Sequence, residues 1–466
     1  MPDRALDPRP TAVVIGASVA GLLAASALTA FADVIVVERD TLPDGPEPRR
    51  GVPQARHAHM VWSAGVKAFD ELLPGVVDEV VAEGGRLIHV TGDMVSRAPN
   101  EIWFRRFLAT HHRNLVCSRG LLDHVLRRRV LADARVTVRQ NTTALALEGD
   151  TGRVTGVRVR TGDEETSLTA DLVVDASGRG SRTPRWLADL GLPAPAEREV
   201  DAGVAYATRL YRAPGTSGDG SFPLVNVQAN PAKAPGRGGI VLPVEGGRWI
   251  VTLSGTRGGE PTADPEAFVA FALGLGDPVI GELLVDATPI GDVATTHATA
   301  NRRRYYEKLR QWPDGLLVLG DAVAGYNPVY GHGLTVAARS AVIVRDALRA
   351  TDLTAPGTAR RVQRAASRPV SAAWDLAVGQ DAFYPGASAV PPTAAERFLA
   401  RFVDRAVATG ARSPRALGAL LDVMSLEKPP TRLFSPDMLV PMLFGPKRAH
   451  LDGPPLTEAE RKSARR

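Results

Sequence analysis

TAVVIGASVAGLLAASALTAFADVIVVERD, residues 11–40, changes its pattern twice. AVVI is a short, wholly apolar run of the kind required by a parallel strand buried on both faces. GASVAG follows at once, then an Ala- and Leu-rich helical stretch, then a second apolar run, DVIVVE, that closes on Glu38. The segment reads as a strand–turn–helix–strand unit. Gly16 makes the tight turn and Gly21 lets the helix lie close on the strand. Ser18 stands where the usual fingerprint has its middle glycine. A helix starting at such a turn offers backbone N–H groups, here around Ala17, Val19 and Ala20, to a pyrophosphate. Glu38, followed by Arg39, lies 22 residues after Gly16. That is near the spacing of an acid that binds a ribose hydroxyl, as in NAD or the AMP half of FAD.

The rest of the chain separates these two cofactors. Three alternating stretches, VTVRQ…LALE, RVTGVRVR and TSLTA, are divided by Gly149-Asp150 and Gly162-Asp163 and read as an antiparallel meander. The apolar strand DLVVDASG follows. A meander before a returning parallel strand is unusual in NAD dehydrogenases and resembles FAD proteins of the glutathione-reductase type. GDAVAGYNPVYGHGLT, residues 320–335, then follows the apolar run GLLVL. A strand ends at Gly320 and a helix begins near Gly333. Asp321 suits a hydrogen bond to a polyol such as the ribityl chain of FAD; the alternative is a turn or capping Asp.

The order GxSxxG, Glu38, SRxxLxxxL, DAxG and GDA…P…GHG resembles the FAD-dependent monooxygenases of the p-hydroxybenzoate hydroxylase fold. GVPQARHAHMVWSAG (51–65), CSRGLLD (117–123), ADLVVDASGRGS (170–181) and GDAVAGYNPVYGHG (320–333) are similar to the flavin epoxidases of polyether ionophore biosynthesis, of the monensin and lasalocid pathway type. The resemblance implies an α/β fold with three parts. A discontinuous FAD-binding Rossmann domain comprises residues 1–75, 112–195 and 305–350. A mostly antiparallel substrate-binding domain, residues 76–111 and 196–304, is inserted into it, and residues 351–466 form a helical C-terminal region. It also implies FAD reduced by NAD(P)H, directly or through a separate flavin reductase, and reaction with O2. A flavin C4a-hydroperoxide would then epoxidise alkenes of a long, apolar polyene polyketide in polyether antibiotic biosynthesis.

The resemblance places Arg56, Arg119, Asp175, Ala176 and Gly178 at the cofactor, with Gly320, Asp321 and Pro328. Gly331, His332, Gly333 and Leu334 would bring bare N–H groups to the flavin's pyrimidine edge, where charge accumulates on reduction. Arg119 opens a helix, a position where the dipole disfavours a cation, so a phosphate or flavin partner accounts for it. No catalytic side chain and no metal ligand is expected, because the flavin carries the chemistry. His57 and His59 have no Cys or carboxylate at ligand spacing and read as helix-start or core residues.

Two departures bear on the reaction. Asp175-Ala176 stands where aromatic hydroxylases usually have Asp-Gly, a segment linked with NADPH use, which points to a separate reductase. Val323 and Ala324 fill places where many relatives have a His, leaving a less polar wall. The alternatives are a flavin hydroxylase of an aromatic or polyketide substrate and an FAD-dependent alkene reductase. No W-x-W-x-I-P segment occurs, which argues against a halogenase.

Composition narrows the setting. A chain of 466 residues, 44% hydrophobic and 23% charged, suits a soluble protein of two or three domains. Cys117 is the only cysteine, so no internal disulfide forms, which fits a reducing cytoplasm. The first residues lack the basic and apolar regions of a signal peptide. The basic runs at 127–129 and 302–304 read as solvated faces, and no aromatic residues interleave with them, so no nucleic acid partner is expected. Tyr206, Trp249 and Tyr326 read as core residues before pocket residues. SPDMLVPMLFGP (435–446) is expected to cap the pocket rather than touch a membrane, since no basic amphipathic face accompanies it.

Overall fold

The computed structural model describes residues 9–49, 51–107, 110–446 and 448–465. Its central sheet has five parallel strands, in the order Leu316–Val318, Leu172–Asp175, Thr11–Ile15, Asp33–Val37 and Val136–Arg139. Val13, Val14, Val173, Val174 and Leu316 are wholly enclosed, as parallel strands covered on both faces must be. The helix Val19–Leu28 packs on these strands, and Gly333–Arg349 packs on that helix.

One reading is corrected here. Val136–Arg139 does not open the meander but forms the outer strand of the parallel sheet. Asn141, with φ 54°, turns the chain, and the meander consists of Thr142–Gly149, Val154–Thr161 and Glu164–Thr169. A half-exposed edge strand alternates in the same way as a meander strand, so the pattern alone does not assign it to a sheet.

The second large sheet runs in the order Thr288–Thr296, Ala205–Arg212, Arg248–Gly255, Arg237–Val244, Leu224–Val227 and Met94–Arg97. All pairs are antiparallel except the last, which ties the segment around residue 95 to the later strands. Alternation along the strands sends Val225, Val241 and Trp249 to one face, where the helices Ala267–Leu273 and Val279–Val285 cover them. Leu224, Leu242 and Ile250 go to the other face and share a core with Leu417, Leu420 and Met438 of the C-terminal helices. Trp249 is a core residue beside Phe222, with ring centroids 5.0 Å apart.

The C-terminal region is helical: Thr358–Asp381, Ala394–Gly410, Pro414–Met424, Pro436–Phe444 and Glu458–Ser463. Pro436–Phe444 buries Met438 and Met442 against its neighbours and leaves Leu443 and Phe444 exposed. No described helix is long and apolar enough to cross a membrane. The basic runs are solvated only in part: Arg128 is exposed and Arg129 and Arg302 half-buried, while Arg127, Arg303 and Arg304 are buried. Arg127 donates to the Gly45 carbonyl, and Arg128 and Arg129 pair with Glu83 and Glu79. Arg303 and Arg304 are buried on Glu307 and Glu197.

Candidate functional site

Three strand ends of the parallel sheet converge, and each bears a glycine turn. Gly16 has φ 103°, a conformation that strains any L side chain. A Cβ there would lie 2.7 Å from the Ala176 carbonyl oxygen, and one at Gly21 would lie 1.8 Å from the Gly16 oxygen. The helix Val19–Leu28 starts at Ser18 without a side-chain cap, so its first turn presents N–H groups to an anion. The Ser18 hydroxyl instead accepts from Arg119 Nη2 at 3.0 Å, and Arg119 Nε donates to Asp123 at 2.7 Å. Arg119 is thus buried beside the open helix end, 101 positions away in sequence.

Glu38 lies at the mouth of this turn, but its carboxylate is already engaged. It accepts from the N–H groups of Ala17 at 2.8 Å and Asp40 at 3.1 Å, and it pairs with Arg49 at 2.6 Å. Ala17 therefore spends its N–H on Glu38 rather than offering it to an anion. A buried carboxylate must find donors, and the nearest are these. Arg39 and Arg56 are exposed and have no ion-pair partner among the described residues.

The Asp175 carboxylate is engaged within its own loop. The residue is fully buried, and its carboxylate accepts from the Ser177 N–H at 2.9 Å, the Ser181 hydroxyl at 2.5 Å and the Thr183 hydroxyl. It holds its own loop, while Ala176 sets its carbonyl against Gly16 and Gly178 turns the chain with φ 83°. Arg179, which the motif reading missed, donates to the carbonyls of Ala300 at 2.9 Å and Tyr326 at 2.7 Å. It also stands 4.0 Å from Asp321.

The third loop completes the cradle. Gly320 has φ 62°, and a Cβ there would meet the Ala20 methyl at 2.7 Å. The Asp321 side chain keeps 36% of its surface open to the cleft and makes no hydrogen bond among the described residues. Enclosure by the cleft walls raises its pKa, against the opposing pull of Arg179 and then Arg119. Pro328–Tyr330 forms a short turn capped by Asn327, whose side chain accepts from the Val329 N–H. Gly331 follows in the left-handed region, and the 17-residue helix Gly333–Arg349 begins without a side-chain cap. A Cβ at Gly333 would sit 3.9 Å from Asp321 Oδ1, so this helix start faces the Asp321 carboxylate. Leu334 is buried behind it.

His332 contributes only backbone to this loop. Its imidazole is buried, its Nε2 donates to the Met424 carbonyl at 2.9 Å, and burial lowers its pKa to about 4. His57 is likewise neutral, lowered to about 4 by burial and then by Arg56, with Nδ1 2.7 Å from the Thr208 hydroxyl. Burial and then Arg119 lower His59 to about 3.

A second group escaped sequence reasoning. Asp381, buried at the end of Thr358–Asp381, accepts from the Tyr330 hydroxyl at 2.5 Å, Asn301 at 2.6 Å and Asn327 at 2.9 Å. The Tyr206 hydroxyl donates to Asn327 at 2.6 Å. Asp381 is pushed up from the usual carboxylate range by burial. The one available signal was Asn327 inside the quoted loop.

Over residues 9–361 the chain matches the family described as FAD binding domain. The chain belongs to the FAD-binding domain family. It is 35% identical over 435 residues to the protein Rv3254 of Mycobacterium tuberculosis, covering 86% of this chain and 91% of that one. The flavin-dependent brominase Bmp2 superposes with a TM-score of 0.64 at 15% identity, over 89% of this chain and 93% of its own. OxyS anhydrotetracycline hydroxylase from Streptomyces rimosus superposes with a TM-score of 0.59 at 20% identity, over 90% and 76%. The fold is thus the one used by flavin enzymes of the p-hydroxybenzoate hydroxylase type. The cleft fits FAD: two uncapped helix starts, glycines where backbone must approach closely, and one carboxylate, Asp321, without a hydrogen-bond partner among the described residues.

Proposed function

We propose that the chain is an FAD-dependent monooxygenase that epoxidises alkenes of a long, apolar polyene polyketide on the way to a polyether antibiotic. One observation carries the choice of alkene over phenol. Burial lowers the pKa values of His57, His59 and His332 to about 4, 3 and 4, which makes them weak proton acceptors, and Val323 and Ala324 are buried and apolar. Hydroxylating a phenol draws on a base that takes the phenolic proton; oxygen transfer to an alkene removes none.

In this reading the open first turn of Val19–Leu28 and Arg119 hold the pyrophosphate, Glu38 shares a ribose hydroxyl with Arg49, and Asp321 binds the ribityl chain. The start of Gly333–Arg349 favours negative charge at the pyrimidine edge. The sheet formed from residues 76–111 and 196–304 receives the substrate and excludes water. Bound FAD, reduced by NAD(P)H directly or through a separate flavin reductase, supplies the activation of O2.

The test supplies the holoenzyme with NADPH, or NADH and a flavin reductase, under isotopically heavy oxygen. Farnesyl acetate is the alkene probe and naphthol the phenol probe. The expected product is farnesyl acetate with one heavy oxygen and one alkene fewer. Hydroxylated naphthol beside untouched farnesyl acetate would replace the epoxidase by a hydroxylase. A gain of two hydrogens would make the enzyme a reductase.

A further inference from the structure

Away from the cleft, the described residues hold a group of metal-ligating side chains: His111, His112, Asp422 and Glu427. No metal ligand was expected, because the flavin carries the chemistry, and spacing along the chain gives no sign of this group: His112 and Asp422 are 310 positions apart. The two histidines precede the strand Arg113–Val116. Asp422 lies in the last turn of Pro414–Met424, and Glu427 follows Leu426, whose φ is 58°.

Three of the six separations are close to the edges of a tetrahedral site. His112 Nε2 is 3.2 Å from Asp422 Oδ1. His111 Nε2 is 3.5 Å from the same oxygen and 3.4 Å from Glu427 Oε2. All four ligand atoms lie within 4.8 Å of one another. Nitrogen and oxygen ligands at about 2.0–2.2 Å from zinc stand about 3.4 Å apart.

The surrounding groups orient these atoms as outer partners of a metal do. His112 Nδ1 is 3.3 Å from the Thr110 hydroxyl, which lets Nδ1 carry the proton and Nε2 present its lone pair. Asp422 Oδ2 is held by Arg432 at 2.7 Å and Lys428 at 3.3 Å, leaving Oδ1 for the centre. Glu427 Oε1 accepts from the Ser63 hydroxyl at 2.5 Å, leaving Oε2. His111, 60% exposed, opens an entry path, and Lys67, 58% exposed and 2.8 Å from Glu427 Oε2, can swing into solvent. Lys67, Lys428 and Arg432 oppose a cation, though Asp437 offsets Arg432 at 2.7 Å. Two imidazoles with two carboxylates favour zinc over magnesium or calcium.

We propose that His111, His112, Asp422 and Glu427 bind a divalent zinc ion that clips the chain before Arg113–Val116 to the end of Pro414–Met424. Met424, in the same helix end, accepts the His332 N–H, so the clip also steadies the loop that ends at Gly333.

The tag-free holoenzyme is stripped with EDTA and dialysed to equilibrium against micromolar zinc chloride, and bound metal is measured by mass spectrometry. One zinc per chain is expected above the His111→Ala variant, with a raised Tm. Cobalt chloride should give the visible bands of a four-coordinate ion, and magnesium chloride should not bind. Asp422→Asn would also strip Arg432 of its partner, so Glu427→Gln is the second variant and should lose most of the zinc. Wild type that retains no more zinc than His111→Ala overturns the proposal and leaves a polar clasp. Zinc that survives both variants is adventitious and overturns it equally.

Discussion

The flavin cradle and the helical region behind it meet at the loop before Gly333, and they are built on opposite principles. The cradle depends on atoms that are missing: Gly16, Gly21 and Gly320 bring backbone within contact of Ala176, Gly16 and Ala20. The region behind depends on a group that is present: the Asp381 carboxylate gathers Asn301 from one strand and Asn327 and Tyr330 from the loop before Gly333. Adding atoms should break the first, and removing atoms should break the second.

The largest effect is expected from Gly21→Val. Its Cβ would lie 1.8 Å from the Gly16 oxygen, well inside any tolerable contact. The cost exceeds the about 1–3 kcal/mol of ordinary overpacking. Expression should yield no soluble yellow protein, and a folded flavoprotein would break the comparison at its root. Asp381→Ala should follow. It takes the acceptor from one hydroxyl and two amides, of which Asn301 keeps a longer bond to the Val200 carbonyl, at about 1–3 kcal/mol for each buried group left unpaired. Urea unfolding should show a loss of about 4 kcal/mol, with Asp381→Asn in between.

Acid should act on buried imidazoles, of which His332 lies on the seam between the two regions. His57 and His332 are buried and have pKa values of about 4, against 6.5 for a free imidazole. The unfolded chain binds these protons first, so stability falls as pH drops from 6.5 towards 4 and is level above that window. The loss is on the order of 3 kcal/mol for each imidazole. A urea midpoint that stays constant from neutral pH to pH 4 would show that the two imidazoles are not held neutral. The smallest effect on folding is expected from Asp321→Ala, which removes a carboxylate without a hydrogen-bond partner among the described residues. Stability of the apoprotein should change by no more than about 0.5 kcal/mol. Flavin binding should weaken by about 2 kcal/mol, read from flavin content and fluorescence titration. Full flavin occupancy in that variant would sink the ribityl assignment.

The parallel sheet and its three glycine turns were legible because they rest on short-range sterics. Apolar runs, glycines at fixed offsets and turn pairs all act within a few residues of each other. The placement of Val136–Arg139 was not legible, because alternation is shared by any half-buried strand. Asp175 looked like a cofactor ligand from its motif, yet its carboxylate is taken up by Ser177, Ser181 and Thr183 once the loop closes. Glu38 met Arg49, and the arginine runs met Glu79, Glu83, Glu197 and Glu307. At Asp175, Glu38, Arg303 and Arg304 burial obliges a charge to find a partner, and folding chooses which one.

The sequence by itself determined the order of strands and helices, the positions where backbone must be bare, and hence the FAD-binding fold. These follow from steric limits on a few neighbouring residues. Only the tertiary structure decided that His332 turns to Met424, that Asp381 stands behind Tyr330, and that His111 and His112 meet Asp422 and Glu427. Hydrogen bonds and ligand sets form between whatever groups the packed core brings within about 3 Å, and sequence separation places no limit on that.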